Sequence, residues 1–332
     1  MQIFHNANYN FIRWRWHALA LSAIVVLAGI VATITQGLPL GIDFSGGTQL
    51  IVKFDQAVPL EKVREAIPGD EVVQQYDDPA LNQVLIRLQQ AGMSEQGKAL
   101  EQRSLQVEQS LQKAGLPKFR IVKTDIVGPT VGADLQRRGI YATLASIIAI
   151  TIYIGVRFRF SFAVGAIAAT FHDILVTFAF LVFFRYELSL NIVAAILTIT
   201  GFSVNDTIVI FDRVRENLRG MRRDSLEQVV NLSVNQTLGR TIITAGTAFL
   251  SVLALYLFGG EALRGFAFTM IVGIISGTYS TIFIASSIAI ILSQRRSGKV
   301  AAAAAPGSVA VSASEPSPAR GKSKQKKTRA AS

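Results

Sequence analysis

The chain has 332 residues, half of them hydrophobic, no cysteine and a formal charge of +11. Its mean hydropathy is +0.40, and the apolar residues gather in long unbroken runs instead of spreading at helical or strand period through a soluble core. This excludes an ordinary soluble fold; the missing cysteines exclude disulfides, thiol nucleophiles and Cys-containing metal or iron–sulfur sites.

The charge is unevenly placed. From Arg295 onward nine basic residues stand against one acid, Glu315, so the basicity belongs mostly to a tail and does not point to a specific nucleic-acid partner. Residues 295–332 are Ala-, Ser- and Pro-rich with a terminal Lys/Arg cluster. Such a segment buries too little apolar area to fold and is expected to be a disordered cytosolic extension drawn weakly to anionic lipid.

Six windows are apolar and long enough to cross a bilayer as helix: 18–35, 140–156, 160–184, 188–211, 241–258 and 266–292. The first lacks a clear small-residue cleavage site and is expected to stay in place as a helix. Residues 1–17 precede it. Short loops retain Lys and Arg on the cytoplasmic side. Arg13 and Arg15, Arg157 and Arg159, and the group from Arg213 to Arg240 therefore place both termini in the cytosol, with residues 36–138 periplasmic. Arg137 and Arg138 run against this pattern, beside a long translocated segment where charge is a weak signal.

Residues 36–138 have soluble composition. Strand patterns at 49–54, 71–76, 83–88 and 119–127 alternate with helical patterns at 60–67 and from the expected N-cap Ser94 to Gly115. Pro68-Gly69 stops the first helix, and Asp77-Asp78-Pro79 turns between the middle strands. The order βαββαβ predicts a ferredoxin-like α+β domain between helices one and two of a polytopic α-helical membrane protein. Before it stands Gly41-Ile42-Asp43-Phe44-Ser45-Gly46-Gly47-Thr48. It nearly matches a phosphate-binding loop, but Gly47 stands where the lysine belongs, so a tight turn into the first strand is expected.

Polar residues inside the spans carry the functional signal. Asp206 lies about 8 Å inside the far end of its span, where a carboxylate costs roughly 2.5–3.5 kcal/mol even on lenient insertion scales. Arg240 begins the next, antiparallel span at similar depth, so the two are expected to meet and to load or release a proton as their separation changes. His172 and Asp173, in the third span, are a second candidate; adjacent residues point about 100° apart, which argues against one joint site, and for either a structural hydrogen bond and a proton relay both remain open.

Stripes of small and polar residues run along Ala166, Thr170, Asp173 and Thr177; Asn191, Ala194, Thr198, Gly201 and Asn205; Arg240, Thr244, Thr247 and Ser251; and Gly273, Gly277, Ser280 and Ser287. Such stripes face protein or water, not lipid. Between spans four and five, residues 212–239 form a cytosolic loop. Within it Ser225-Leu226-Glu227-Gln228 fits a capping box opening a short amphipathic interfacial helix.

Three segments together resemble the SecF family, the smaller of the paired bacterial SecD and SecF translocation subunits within the RND superfamily. They are Gly41 to Gly47, the run Gly201-Phe202-Ser203-Val204-Asn205-Asp206-Thr207, and Phe211-Asp212-Arg213-Val214-Arg215-Glu216-Asn217. The resemblance covers residues 1 to about 296. It implies a non-enzymatic inner-membrane subunit that uses the proton motive force to assist Sec-dependent export of unfolded preproteins, with Asp206 and Arg240 on the proton pathway. No cofactor is implied beyond protons and the membrane potential, and no metal. The implied partners are SecD as heterodimer, the SecYEG channel and YajC.

Two other readings stand beside it: a proton-driven RND-type small-molecule or lipid exporter, and an intramembrane hydrolase with Ser203 as nucleophile and His172 as base. The soluble domain lacks an evident apolar cleft for the first. Gly201-Phe202-Ser203-Val204 lacks the second glycine of a nucleophile elbow for the second.

Overall fold

A computed structural model describes residues 8–67, 71–76, 79–88, 97–221 and 223–304. Ser94, Pro68-Gly69, Asp77-Asp78 and the tail from residue 305 lie outside the described residues. Residues Met1–Ser293 form one compact unit and Gln294–Ser332 a second.

Among the described residues six helices are long and apolar enough to cross a membrane, as the hydropathy windows predict. They are α1 (Arg15–Gln36), α5 (Pro129–Arg157), α6 (Phe160–Phe183), α7 (Leu190–Gly220), α8 (Leu226–Phe258), and α9 (Glu261–Ser280), which continues through a π-turn at Thr281–Ala285 into α10 (Ser286–Ala304). The chain is therefore a multi-pass membrane protein. α9 and the π-turn run through the middle of the bundle, with Ala267, Thr269 and Ser280 of α9 and Thr281 of the turn fully buried. α1, α5 and α8 are peripheral and expose Leu21, Ile24, Ile148, Ile152, Leu250 and Leu257, as surfaces that meet hydrocarbon should.

Between α1 and α5 lie a one-turn helix α2 (Ile42–Ser45), β1 (Gly47–Phe54), α3 (Leu60–Ala66), β2 (Val72–Tyr76), β3 (Gln83–Leu88), α4 (Gly97–Lys113) and β4 (Phe119–Val127). The sheet order is β2-β3-β1-β4 with every pairing antiparallel, the ferredoxin-like arrangement expected from βαββαβ. Strand alternation sends Leu50, Val52, Phe54, Val73, Val84, Ile86 and Leu88 to one face. There Val63 of α3 and Val107 and Leu111 of α4 close the core.

The other face looks toward the near end of the bundle. Gln49, Gln74, Arg87, Lys123 and Asp125 line that side of a cavity of about 680 Å³, with Arg185, Glu187 and Asn191 opposite. This cavity is polar, unlike an apolar drug cleft.

The segment between spans four and five differs from the expected loop. Residues 212–220 prolong α7, and the amphipathic stretch from Leu226 is continuous with the fifth span. α8 is thus one helix of 33 residues, about 50 Å long. The capping box forms: Ser225 Oγ accepts from the Gln228 amide at 3.3 Å and the Ser225 amide donates to Gln228 Oε1 at 2.9 Å. Nothing after it stops the helix, because Val229, Val230 and Val234 stay in phase with the buried face. Asn231 and Asn235 then grip the backbone of Phe11 and Tyr9, tying the N-terminal segment to this extension.

Candidate functional site

The segment Gly41 to Gly47 is a joint between the sheet domain and α7. The Gly41 amide donates to Leu188 O at 2.8 Å. Asp43 Oδ2 accepts from the Leu190 amide at 2.9 Å, so this carboxylate satisfies a first-turn N–H of the helix that carries Asp206. Gly46 and Gly47 hold φ of 70° and 124°. A Cβ on Gly47 would lie 2.7 Å from Leu88 O in β3. The expected turn into β1 is present, and the side-chain cap it gives α7 was not legible from local sequence. Arg87 of β3 and Glu187, just before α7, form a second tie across the same gap.

Sixteen residues into α7, Asp206 is half-buried against α8. Its Oδ1 accepts from Thr241 Oγ1 at 2.8 Å, while Oδ2 is buried and has no hydrogen-bond partner among the described residues. The direct Asp206–Arg240 contact expected from sequence is not made. Thr241 faces α7, and its neighbour Arg240, turned about 100° by the helical period, is exposed. The guanidinium remains near enough for electrostatic attraction to Asp206. A depth argument found the right pair of helices, and only their rotation decided which side chain makes contact.

The stripes separate into two kinds. Those on α6 and on α9 with its continuation α10 are interior: Ala166, Thr170, Asp173, Thr177, Ser280 and Ser287 are all buried. Those on α7 and α8 are exposed, including Asn191, Ala194, Thr198, Gly201, Asn205, Arg240, Thr244, Thr247 and Ser251. A Cβ on Gly201 or Gly246 would meet nothing within 4 Å, so packing inside this chain gives neither glycine a reason.

Asp173, buried on α6, accepts from Ser203 Oγ of α7 at 2.6 Å and from Ser276 and Ser280 Oγ of α9, each at 2.7 Å. His172 Nδ1 lies 3.1 Å from Asp173 Oδ1. Adjacent in sequence, the two form one site despite their divergence, because the imidazole folds back onto the carboxylate. Ser203 donates to Asp173 rather than to His172, which removes the nucleophile–base contact a hydrolase requires. The i, i+4 pair Ser276 and Ser280 was the sequence sign of the α9 donors.

Beyond Asp206, the charged run fixes α7 to its neighbours. Arg157 of α5 donates to Asp212 at 2.7 Å; Arg213 donates to Gln236 of α8 at 2.6 Å and, within α7, to Glu216 at 2.6 Å; Asn217 Nδ2 donates to Ser233 at 2.9 Å and Gln236 at 2.8 Å. Arg215 is exposed.

A six-helix bundle with a ferredoxin-like domain after its first helix, and carboxylates on its fourth and third spans, defines a membrane protein built around buried ionisable groups. The protein export membrane protein SecD/SecF C-terminal family matches residues 106–295, and the SecD/SecF GG motif matches residues 31–58. Protein translocase subunit SecF of Rhodothermus marinus is 40% identical over 306 residues, covering 90% of this chain and 98% of that one. SecF of Escherichia coli O157:H7 is 36% identical over 87% of this chain and 89% of that one. The crystal structure of SecDF from Thermus thermophilus superposes with a TM-score of 0.78 at 30% identity, covering 89% of this chain and 40% of the SecDF chain. This chain thus spans about two-fifths of that structure. The chain belongs to the SecD/SecF family.

Proposed function

We propose that this chain is the SecF-type half of a SecD/SecF complex, which uses the proton motive force to assist Sec-dependent export of unfolded proteins across the inner membrane. The observation that carries this reading is Asp206: a half-buried carboxylate with one oxygen unpartnered among the described residues, beside the exposed Arg240, at the edge of a polar face that the described residues leave uncovered. A SecD-type partner covers that face and completes the site. Both termini are cytosolic, the sheet domain is periplasmic, and contact with SecYEG and YajC belongs to the same proposal.

The chemistry is proton loading on Asp206. Neutralising this carboxylate weakens its hydrogen bond from Thr241 and ends its attraction to Arg240, so α7 and α8 favour a different packing. One charge moved through 100 mV contributes about 2.3 kcal/mol, enough to bias two packings close in energy. A shift of α7 reaches the periplasmic domain through Asp43–Leu190 and Arg87–Glu187, which join its start to α2 and β3. The chain acts as a transport subunit, not as an enzyme.

Precursor export into inverted vesicles carrying the complete complex tests this. With normal protein levels, Asp206→Asn and Arg240→Met abolish the gradient-dependent part of export. Undiminished gradient-sensitive export would remove the proton role, and altered drug resistance with normal secretion would favour the exporter.

A further inference from the structure

The bundle holds a second ionisable site that the export reading leaves unused. Asp173 receives three serine hydroxyls from two other helices. An ionised carboxylate only accepts, so with Asp173 ionised the serines and the imidazole Nδ1 3.1 Å away all donate to it, Ser280 Oγ sharing its one proton with Gly277 O at 3.2 Å. That assigns the proton of His172 to Nδ1 and leaves Nε2 a bare lone pair. The His172 side chain is 10% exposed, and Nε2 is buried without a hydrogen-bond partner among the described residues.

We propose that His172 Nε2 is a proton-binding site of its own, with Asp173 as its fixed counter-ion and Ser203, Ser276 and Ser280 as the groups that hold that counter-ion still. A proton arriving from water bonds to the Nε2 lone pair; imidazole becomes imidazolium, paired with Asp173 through the unchanged Nδ1–H, and no other bond is made or broken. This deepens the proton-driven reading and rests on it, adding an exchanging group on the α1 side of the bundle, whereas Asp206 faces α8.

The surroundings leave this role to His172. From α9, the Tyr279 ring lies 6.1 Å away, and its hydroxyl is committed, donating to Ala18 O at 2.7 Å and accepting from Ser22 at 3.2 Å. From α7 the nearest ionisable residue is Asp206, one turn beyond Ser203; Arg240 of α8 is exposed. α1 carries only Arg15 and His17, both near its start, and the π-turn carries none. α5 presents Tyr141 and Tyr153, both exposed, and its charged residues lie near its two ends. α6 has no ionisable residue besides His172 and Asp173.

The test uses the complex of this chain with its SecD-type partner in proteoliposomes, the histidines of this chain labelled with ¹⁵N. The chain has three, His5, His17 and His172, and His172→Gln identifies the signal by its loss. Solid-state NMR of the unaltered complex is expected to show the His172 Nε2 signal passing from bare to protonated as the sample is taken from alkaline to acidic solution, with Nδ1 protonated throughout. A signal fixed in one state over that range overturns the proposal without any variant having to fold. Proton flux separates this from the broader reading. His172→Gln is expected to lose the pH-dependent component of flux over the same range, and Asp206→Asn to lose flux at every pH. An unchanged profile in His172→Gln, with flux still lost in Asp206→Asn, sinks the His172 site alone; full flux in Asp206→Asn sinks the proton-driven reading itself.

Discussion

Asp206 takes its side-chain hydrogen bond from Thr241, the residue after Arg240, at 2.8 Å. The hydroxyl is neutral and short, so it orients the carboxylate without fixing its charge, while the guanidinium next to it acts through space. Thr241→Val keeps the shape and removes the donor, leaving both carboxylate oxygens without a side-chain partner. Losing one hydrogen bond to a charged group is worth about 1.5–3 kcal/mol. Gradient-driven export in Thr241→Val should fall but persist, and Thr241→Ser should restore it; equal export in Val and Ser variants would show that the hydroxyl does not set the carboxylate.

Asp43 caps α7 from across the chain, 147 residues away in sequence. Asp43→Ala leaves the Leu190 amide without its partner and should lower stability by about 0.5–2 kcal/mol, read as an earlier thermal midpoint in detergent. Asp43→Asn keeps an accepting oxygen and should recover most of that loss. If both variants melt alike, the cap is not what the carboxylate supplies.

The salt bridge between Arg87 and Glu187 is mostly shielded, with side-chain exposures of 11% and 26%. A double-mutant cycle with Arg87→Met and Glu187→Gln should give a coupling of about 0.5–3 kcal/mol. Export should suffer more from either single variant than from the pair, since a lone buried charge is worse than none. Additive effects would mean the two side chains do not act together.

Glycines with opposite surroundings make a paired forecast. A Cβ on Gly165 would sit 2.5 Å from Ala285 O and 3.2 Å from Ala289 N, both backbone atoms beside the π-turn. Gly165→Ala therefore has nowhere to relax and should cost about 1–3 kcal/mol. Gly201 meets nothing within 4 Å, so Gly201→Leu should fold normally by thermal melt yet fail to co-purify with a SecD-type partner. Retained co-purification would place the partner on another face.

Much of this architecture is legible along the chain because the signals are local. A run of apolar residues long enough to cross hydrocarbon reads as a span wherever it lies, and β3 at Gln83–Leu88 and β4 at Phe119–Val127 fall where period-two alternation puts them. The sites are only half legible. A carboxylate at Asp206 and another at Asp173 announce themselves by their cost in an apolar run, but their partners are spread over other helices. Nothing near Asp43 in sequence points to Leu190. Nothing near Asp173 selects Ser203 from the other hydroxyls.

Composition and periodicity alone thus determined six spans, a βαββαβ insertion and the presence of charge where charge is expensive, since each depends on residues within a few turns of one another. The packed structure decided that Thr241 rather than Arg240 touches Asp206, that α8 runs unbroken from Leu226 to Phe258, and that the stripe through Gly201 lies bare while the one through Asp173 is sealed. Those outcomes depend on how each helix is rotated about its axis and how deep it sits. Rotation and depth are set by the fit of one whole helix against its neighbours, which no local window contains.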